Sequence, residues 1–487
     1  MGLKQKTVTG FLWSSAGTFG NGVISLIVTM VLARLLLPYH FALIALLTVF
    51  LSISNVIVDS GFSQALIRDD NPSQKDLSSV FYFNITISIL IYSILYLSTP
   101  FISAYFKASE LNILARIVFL VIIFNSFTLI QYATLNRDLE FALLNKSSVY
   151  GNSISGSIAI IMAFSGFGIW ALVANMVLMP FFRSVFLWYN SKWRPTKEFS
   201  LISVRKYFAF GGFLMVQGII DAISTNLITL LIGKAYTKND LGYFSQGAKL
   251  DAFIITPFTS IVQKVTYPIL SKIKNEGERL KESFRKVVGV IMYAFIPAIL
   301  FTIFNSDNLI VSFFGEQWRE AGLYLKIAAF GSILFPLQII CINIIMIKAE
   351  TKIMLQFAII KQSVRIILLL AFLNKGVIAL ATVFSISTLI GSILYITLGM
   401  RILRYTFLEF IQDVFKTLVS SLIGIVFVLY VGCFFNEVNV AVVLAIQSGC
   451  MLIIYVLSSI IFRNEHGKES FSLLLPLYKK IKFWKFT

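Results

Sequence analysis

The chain has 487 residues, is 57% hydrophobic and only 13% charged, and carries a net charge of +18. A soluble protein of this length needs far more polar surface to cover itself, so an ordinary soluble domain is excluded. The basic excess has no RNA- or DNA-binding motif beside it and fits cytoplasmic loops facing anionic lipid, so nucleic acid is not expected as a partner.

Lys4 and Lys6 precede an apolar run over residues 10–35. That run is too long for the h-region of a signal peptide and reads as a membrane helix kept in the protein. Comparable runs follow near 41–66, 79–103, 112–134, 147–165, 168–190, 206–233, 241–269, 287–305, 322–347, 354–373, 376–400, 414–435 and 440–462. Each is long enough to cross roughly 30 Å of hydrocarbon, so the expectation is an all-α polytopic membrane protein with 14 transmembrane helices. Cys341, Cys433 and Cys450 lie in apolar runs and read as small hydrophobes. His40 and His466 lack metal-ligand spacing, so neither a metal nor a cofactor is expected.

Counting residues at the span ends with the adjoining loops, 28 of the 41 Lys and Arg residues fall at the N-terminus, in even-numbered loops and in the tail, against 8 in odd-numbered loops. The positive-inside rule then puts both termini in the cytoplasm. The run KNEGERLKESFRK, residues 274–286, reads as a charged cytoplasmic helix or helix extension with a solvated face. The basic tail, 466–487, interleaves Lys479, Lys480, Lys482 and Lys485 with aromatic residues. It reads either as a segment lying on the anionic inner surface or as a frayed end.

Five basic side chains remain inside spans: Arg183, Lys249, Lys264, Lys361 and Arg365. Each would cost about 2.5–3.5 kcal/mol facing lipid at the midplane, so they are expected to face one another or water. Helical spacing agrees. Ser52, Asn55, Asp59 and Ser63 form one stripe, and Gln217, Asp221 and Ser224 another. Gln246, Lys249, Thr256, Ser260, Gln263, Lys264 and Tyr267 gather on one side of the eighth span, which Pro257 is expected to kink. Lys361 and Arg365, four apart near the middle of the eleventh span, share a face. Such stripes line a hydrated cavity whose basic excess suits an anionic, phosphorylated ligand. Lys249, Lys361 and Arg365 are the expected contacts, with Lys264, Arg183, Gln246 and Gln338 as further ones. Lys264 and Arg183 lie nearer the cytoplasmic end, within snorkelling reach of the headgroups. Asp251, two residues from Lys249, points elsewhere and is expected to meet a neighbouring helix.

Several segments resemble one family. FLWSSAGTFGNGVISLIVTMVLARLLLP opens the chain, VDSGFSQALIR (58–68) ends the second span, LNRDLEF (135–141) follows the fourth, and GFGIWALV (166–173) turns into the sixth. LGYFSQGAKL, YPILSKIKNEGERLKESFRK and FFGEQWREA continue the pattern, which covers about residues 1–400. Together they are similar to the Wzx-like lipid-linked oligosaccharide flippases of the multidrug/oligosaccharidyl-lipid/polysaccharide superfamily. The branch they resemble serves lipopolysaccharide, exopolysaccharide and teichuronic acid biosynthesis. The resemblance implies two six-helix lobes around a central cavity, related as parallel copies, with two helices after them. On that pattern 1–200 is the N-lobe, 201–405 the C-lobe and 406–465 the last two helices. Two departures stand out: Ala42 replaces a common glycine, and the first span lacks the basic residues that some related flippases use on pyrophosphate. The second departure shifts the expected phosphate contacts to Lys249, Lys361 and Arg365.

The function implied is translocation of a polyprenyl-pyrophosphate-linked oligosaccharide (undecaprenyl type) across a bacterial inner membrane by alternating access. Membrane lipids, H⁺ or Na⁺, and other polysaccharide-assembly proteins are the remaining expected partners. Asp59 and Asp221 are candidates either for ion coupling or for ion pairs that steady the cavity. A cation antiporter of the same superfamily would want a mainly acidic cavity. A polymerase or ligase would want a larger outer loop than the stretch near 305–322, and a base–nucleophile set, so no enzyme is expected.

Overall fold

The computed structural model describes residues 3–69, 71–348, 351–434, 439–464 and 467, without the side chains of 3–16, 18, 261, 264, 265, 268, 269, 351, 352, 354 and 355. The described residues form helices and turns, with no strand among them. Contacts divide the chain into unit 1, Met1–Ser245, and unit 2, Gln246–Thr487.

Unit 1 runs through α1 (Leu3–Leu35), α2 (Pro38–Asp59), α3 (Phe62–Arg68), α4 (Gln74–Tyr105), α5 (Leu111–Val118), α6 (Leu120–Ser126), α7 (Leu129–Arg137), α8 (Phe141–Phe164), α9 (Ile169–Asn190) and α10 (Leu201–Ala235). α11 (Lys238–Ile261) crosses into unit 2. There it is followed by a π-helical turn (Val262–Thr266), α12 (Tyr267–Lys272), α13 (Gly277–Phe304), α14 (Ser306–Phe314), a 3-10 turn (Glu316–Trp318), α15 (Ala321–Ser332), α16 (Phe335–Ile347), α17 (Thr351–Ala371), α18 (Val377–Ile402), α19 (Phe407–Gly432) and α20 (Val440–Ile461). Ten helical stretches among the described residues are long and apolar enough to cross a membrane, so this is a multi-pass membrane protein.

The second and eighth expected spans are each broken for a local reason. The second stops at Asp59 because Ser60 (φ 46°) and Gly61 (φ 69°) take left-handed backbone, which a helix cannot continue through. Asp59 then caps α3, accepting from the backbone N–H and the hydroxyl of Ser63 at 3.1 and 2.6 Å. Gly61 also lets α10 approach: a Cβ there would sit 2.5 Å from the Gly211 carbonyl oxygen, and one on Gly211 would meet Ser60 O. The eighth span ends in the π turn because Pro268 has no N–H to return to the preceding turn, and α12 restarts with that proline in its first turn. The stretch expected to be loop near 305–322 contains α14, whose Leu309, Ile310 and Phe314 are buried together with Trp318.

In unit 2, Phe284, Phe295 and Ile299 of α13 join Ile340 and Ile344 of α16, Met400 of α18, Val428 of α19 and Met451 of α20 in one core. Packing of this kind, not burial from water, holds helices together where lipid surrounds them. The charged run 274–286 supplies the first turns of α13 but is not simply a solvated face. Lys281 pairs with Glu409 at 2.8 Å, and Arg285 reaches both oxygens of Asp413 at 2.9 and 2.6 Å, clasping α13 to α19. Tyr455 then donates to the Tyr293 carbonyl at 2.6 Å, fixing α20 to the same helix. The tail beyond Gly467 lies outside the described residues.

Candidate functional site

In unit 2, Lys361, Arg365 and Gln338 lie on the seam where α17 meets α18 and α16, whereas Gln246 and Lys249 lie on α11. A spacing of four puts Lys361 and Arg365 on one face of α17, one turn apart. Arg365 is only 5% exposed. Its Nε donates to Ser387 Oγ at 3.2 Å and its terminal nitrogen to Thr388 Oγ1 at 3.1 Å, while the guanidinium lies 4.6 Å from the Phe384 ring centre. The planar fork thus crosses from α17 to α18, a geometry that a lysine could not reproduce. Ser392, one turn further along α18, donates to Gln338 Oε1 of α16 at 2.7 Å. Lys361 is half-buried. Its stem lies directly over Gly391 of α18, where a Cβ would collide with the Lys361 Cδ, and its ammonium sits 5.8 Å from the Tyr395 ring centre. The missing side chain at Gly391 makes the channel in which this lysine lies.

α11 has two sides. Gln246, Gly247, Leu250, Asp251 and Ile255 are buried, whereas Lys249, Ala252 and Thr256 are exposed. Gly247 packs on Ala321 and Leu325 of α15. The polar stripe read from the sequence therefore divides: Gln246 belongs to the packed side and Lys249 to the open one. Asp251 meets a neighbouring helix, accepting from Ser332 Oγ of α15 at 3.0 Å. The Lys264 backbone lies in the π turn, and its side chain falls outside the described residues.

Unit 1 contains a second polar chain. Arg183 of α9 donates to Asn125 Oδ1 of α6 at 3.1 Å, and Asn125 Nδ2 donates to Asn55 Oδ1 of α2 at 3.1 Å. Arg183 Nε is buried with no protein partner, and the residue forms no ion pair among the described residues. Asn226 of α10 donates to Ser52 Oγ, one turn along α2 from Asn55, at 3.0 Å. The α2 stripe is thus an interhelical seam: Ser52 meets α10, Asn55 meets α6, and Asp59 caps α3. Asp59 forms no ion pair among the described residues, and Asp221 is exposed on α10. The candidates therefore fall into two sets. Arg183, Asp59 and Asp221 lie in unit 1; Lys249, Lys361, Arg365, Gln246 and Gln338 lie in unit 2. Sequence reasoning did not find Asn125, Ser387, Thr388 or Ser392. Single amides and hydroxyls in apolar helices give no spacing signal, and their partners lie many residues away.

A helical multi-pass membrane protein with charged and amide side chains held inside its units is the class of a membrane transporter. The chain belongs to the family described as polysaccharide biosynthesis protein, whose profile matches residues 31–323. Among curated proteins it is 25% identical over 334 residues to teichuronic acid biosynthesis protein TuaB of Bacillus subtilis, covering 68% of this chain and 69% of that one. It is 23% identical over 363 residues to lipopolysaccharide biosynthesis protein WzxC of Escherichia coli, covering 74% of each. Its fold is similar to that of the lipid II flippase MurJ in an inward closed conformation, with a TM-score of 0.76 at 19% identity over 93% of this chain and 99% of that one.

Proposed function

We propose that this protein is a flippase that moves a polyprenyl-pyrophosphate-linked oligosaccharide, of the undecaprenyl type, across the bacterial inner membrane by alternating access. Its product serves surface polysaccharide assembly, alongside other assembly proteins, and it acts as a transporter, not an enzyme. Membership of a polysaccharide biosynthesis family supports the substrate class. The observation that carries the anionic part of the reading is Arg183, a guanidinium inside α9 that meets one neutral amide and no carboxylate among the described residues. A guanidinium buried beside a neutral amide and without a carboxylate is costly to keep, and an arriving anion offsets that cost.

In unit 2, Lys249, Lys361 and Arg365 hold the pyrophosphate, with Gln246, Gln338 and Lys264 around them. Arg365 sets the seam and Lys361 supplies a partly exposed point charge. In unit 1, Arg183 is the further anion contact, and Asp59 and Asp221 are the acidic groups closest in kind to a coupling or steadying role. Four more helices, α1, α8, α11 and α17, have 33, 24, 24 and 21 residues, long enough to join the ten apolar stretches as crossings and make fourteen. The repeat boundaries at 200 and 405, and both termini in the cytoplasm, complete the reading; the lysine and arginine bias of the loops supports the orientation.

The test is translocation in proteoliposomes. A labelled polyprenyl-pyrophosphate oligosaccharide should appear in the opposite leaflet only when the protein is present. Vesicles that flip none of it but export a cationic dye would replace this reading with a cation antiporter.

A further inference from the structure

Asp251 stands on the packed side of α11, two residues from the exposed Lys249, and is 8% exposed. Its hydrogen-bond partner is Ser332 of α15 at 3.0 Å, and it forms no ion pair among the described residues. An ionised carboxylate held away from water with only a neutral partner is strongly disfavoured, because it loses its hydration and gains no opposite charge. A bound proton removes that penalty.

Ser332 suits both forms of the group. Its Oγ lies 3.0 Å from Asp251 Oδ1 and 3.2 Å from the Ala329 carbonyl oxygen, and one hydroxyl hydrogen cannot serve both. With Asp251 ionised, Ser332 turns its hydrogen to the carboxylate. With Asp251 protonated, the acid O–H donates to Ser332 Oγ, and Ser332 donates to Ala329. A short rotation of one hydroxyl keeps the pair hydrogen-bonded in either state.

The charged and titratable groups nearby are few. From α15 come Tyr324, which packs on Gly247 of α11, and the exposed Lys326. α13 carries its charges only between Glu278 and Lys286, with Tyr293 turned to Ser459; α18 carries Arg401 and Tyr395, the latter beside Lys361; α16 carries Cys341 and no charge. On α11 itself, Lys249 is exposed on the other side. A metal cation would want more oxygen ligands than this carboxylate and one hydroxyl supply.

We propose that Asp251 and Ser332 form a proton-binding site, and that taking up and releasing this proton couples a proton gradient to transport. The proposal rests on the flippase reading for what is carried. α11 holds Asp251 on one side and the candidate anion contact Lys249 on the other. A movement that opens Asp251 to water therefore also moves Lys249, and this linkage requires no additional element.

The test has two readouts on the full-length protein. Flipping of the labelled lipid-linked oligosaccharide is measured with and without a pH gradient, and with a sodium gradient as a separate arm. Protonation of the carboxyl is followed by infrared difference spectroscopy across a pH titration. The native protein should flip faster with the pH gradient. Asp251→Asn should lose that acceleration by about 5- to 150-fold, the usual range of coupling between linked sites. A protonated-carboxyl band should titrate in the native protein and be missing from Asp251→Asn, while Ser332→Ala should shift the midpoint of that band. An Asp251→Asn protein with the native response to the pH gradient would overturn the proposal, as would acceleration by sodium alone. If the native protein flips nothing, the flippase reading fails; the carboxyl band still decides whether Asp251 takes up a proton, and its absence overturns the site.

Discussion

Arg365 is bonded to Ser387 and Thr388 across a helix interface, so replacing it acts on packing as well as on any bound anion. Charge-assisted hydrogen bonds of this kind contribute about 1.5–3 kcal/mol, and Arg365→Ala is expected to lower stability by that order in thermal unfolding in detergent. Arg365→Lys should recover little of it, because an ammonium cannot span both hydroxyls. Gly391→Ala makes a cleaner probe of Lys361, since it displaces the lysine stem while leaving both charges in the chain. It should slow flipping with a smaller loss of stability than Arg365→Ala. Outside the spans, Asp69 accepts from Lys206 Nζ and Tyr207 Oη, both at 2.8 Å, which holds its carboxyl below the usual carboxylate range. A depressed folded-state pKa gives stability that is present above the unfolded value and lost as pH falls through the folded one. Asp69→Asn should therefore cost about 0.2–1 kcal/mol at pH 7, and the difference from native should fade below about pH 4. At this scale the Lys361–Arg365 pair was legible from its spacing of four. The Asn55–Asn125–Arg183 chain was not, because its members lie far apart in sequence and only packing brings them together.

Helices break and join where a residue lacks a donor or a side chain. Ser60 and Gly61 end α2 by adopting left-handed backbone, and the close approach of Gly61 and Gly211 lets α10 lie against that joint. Gly61→Ala and Gly211→Ala should each destabilise by about 1–3 kcal/mol, the cost of overpacking a tight contact, with Gly61→Ala also strained by its positive φ. The clasp of Lys281 and Arg285 on Glu409 and Asp413 predicts a coupling of about 0.2–1 kcal/mol in a double-mutant cycle across Arg285 and Asp413. The charged start of α13 was legible as a helix extension, but its partners on α19 lie about 130 residues away, beyond the reach of local pattern. α14 was missed because hydropathy windows sized for a membrane crossing pass over a nine-residue helix. The π turn before α12 was hinted at only by Pro268.

Composition alone set the class of the whole molecule, because a chain that is 57% hydrophobic has little choice but to live in a bilayer. The family was legible in soft motifs spread over residues 1–400, and the matching profile over 31–323 agrees with it. What sequence pattern could not supply was the burial of each charge. Lys249 and Asp251 stand two residues apart, yet one is exposed and the other packed, and that contrast underlies both the anion site and the proton site proposed above.

The central claim is that an anionic lipid-linked oligosaccharide crosses the membrane by way of cations held inside these helices. The most direct measurement compares its flipping in proteoliposomes between the native protein and Arg183→Ala and Lys361→Ala, with the folded fraction of each checked by thermal unfolding. Folded variants that flip at least about tenfold more slowly, a loss of about 1.4 kcal/mol, are the predicted result. Native rates from both folded variants would contradict the claim.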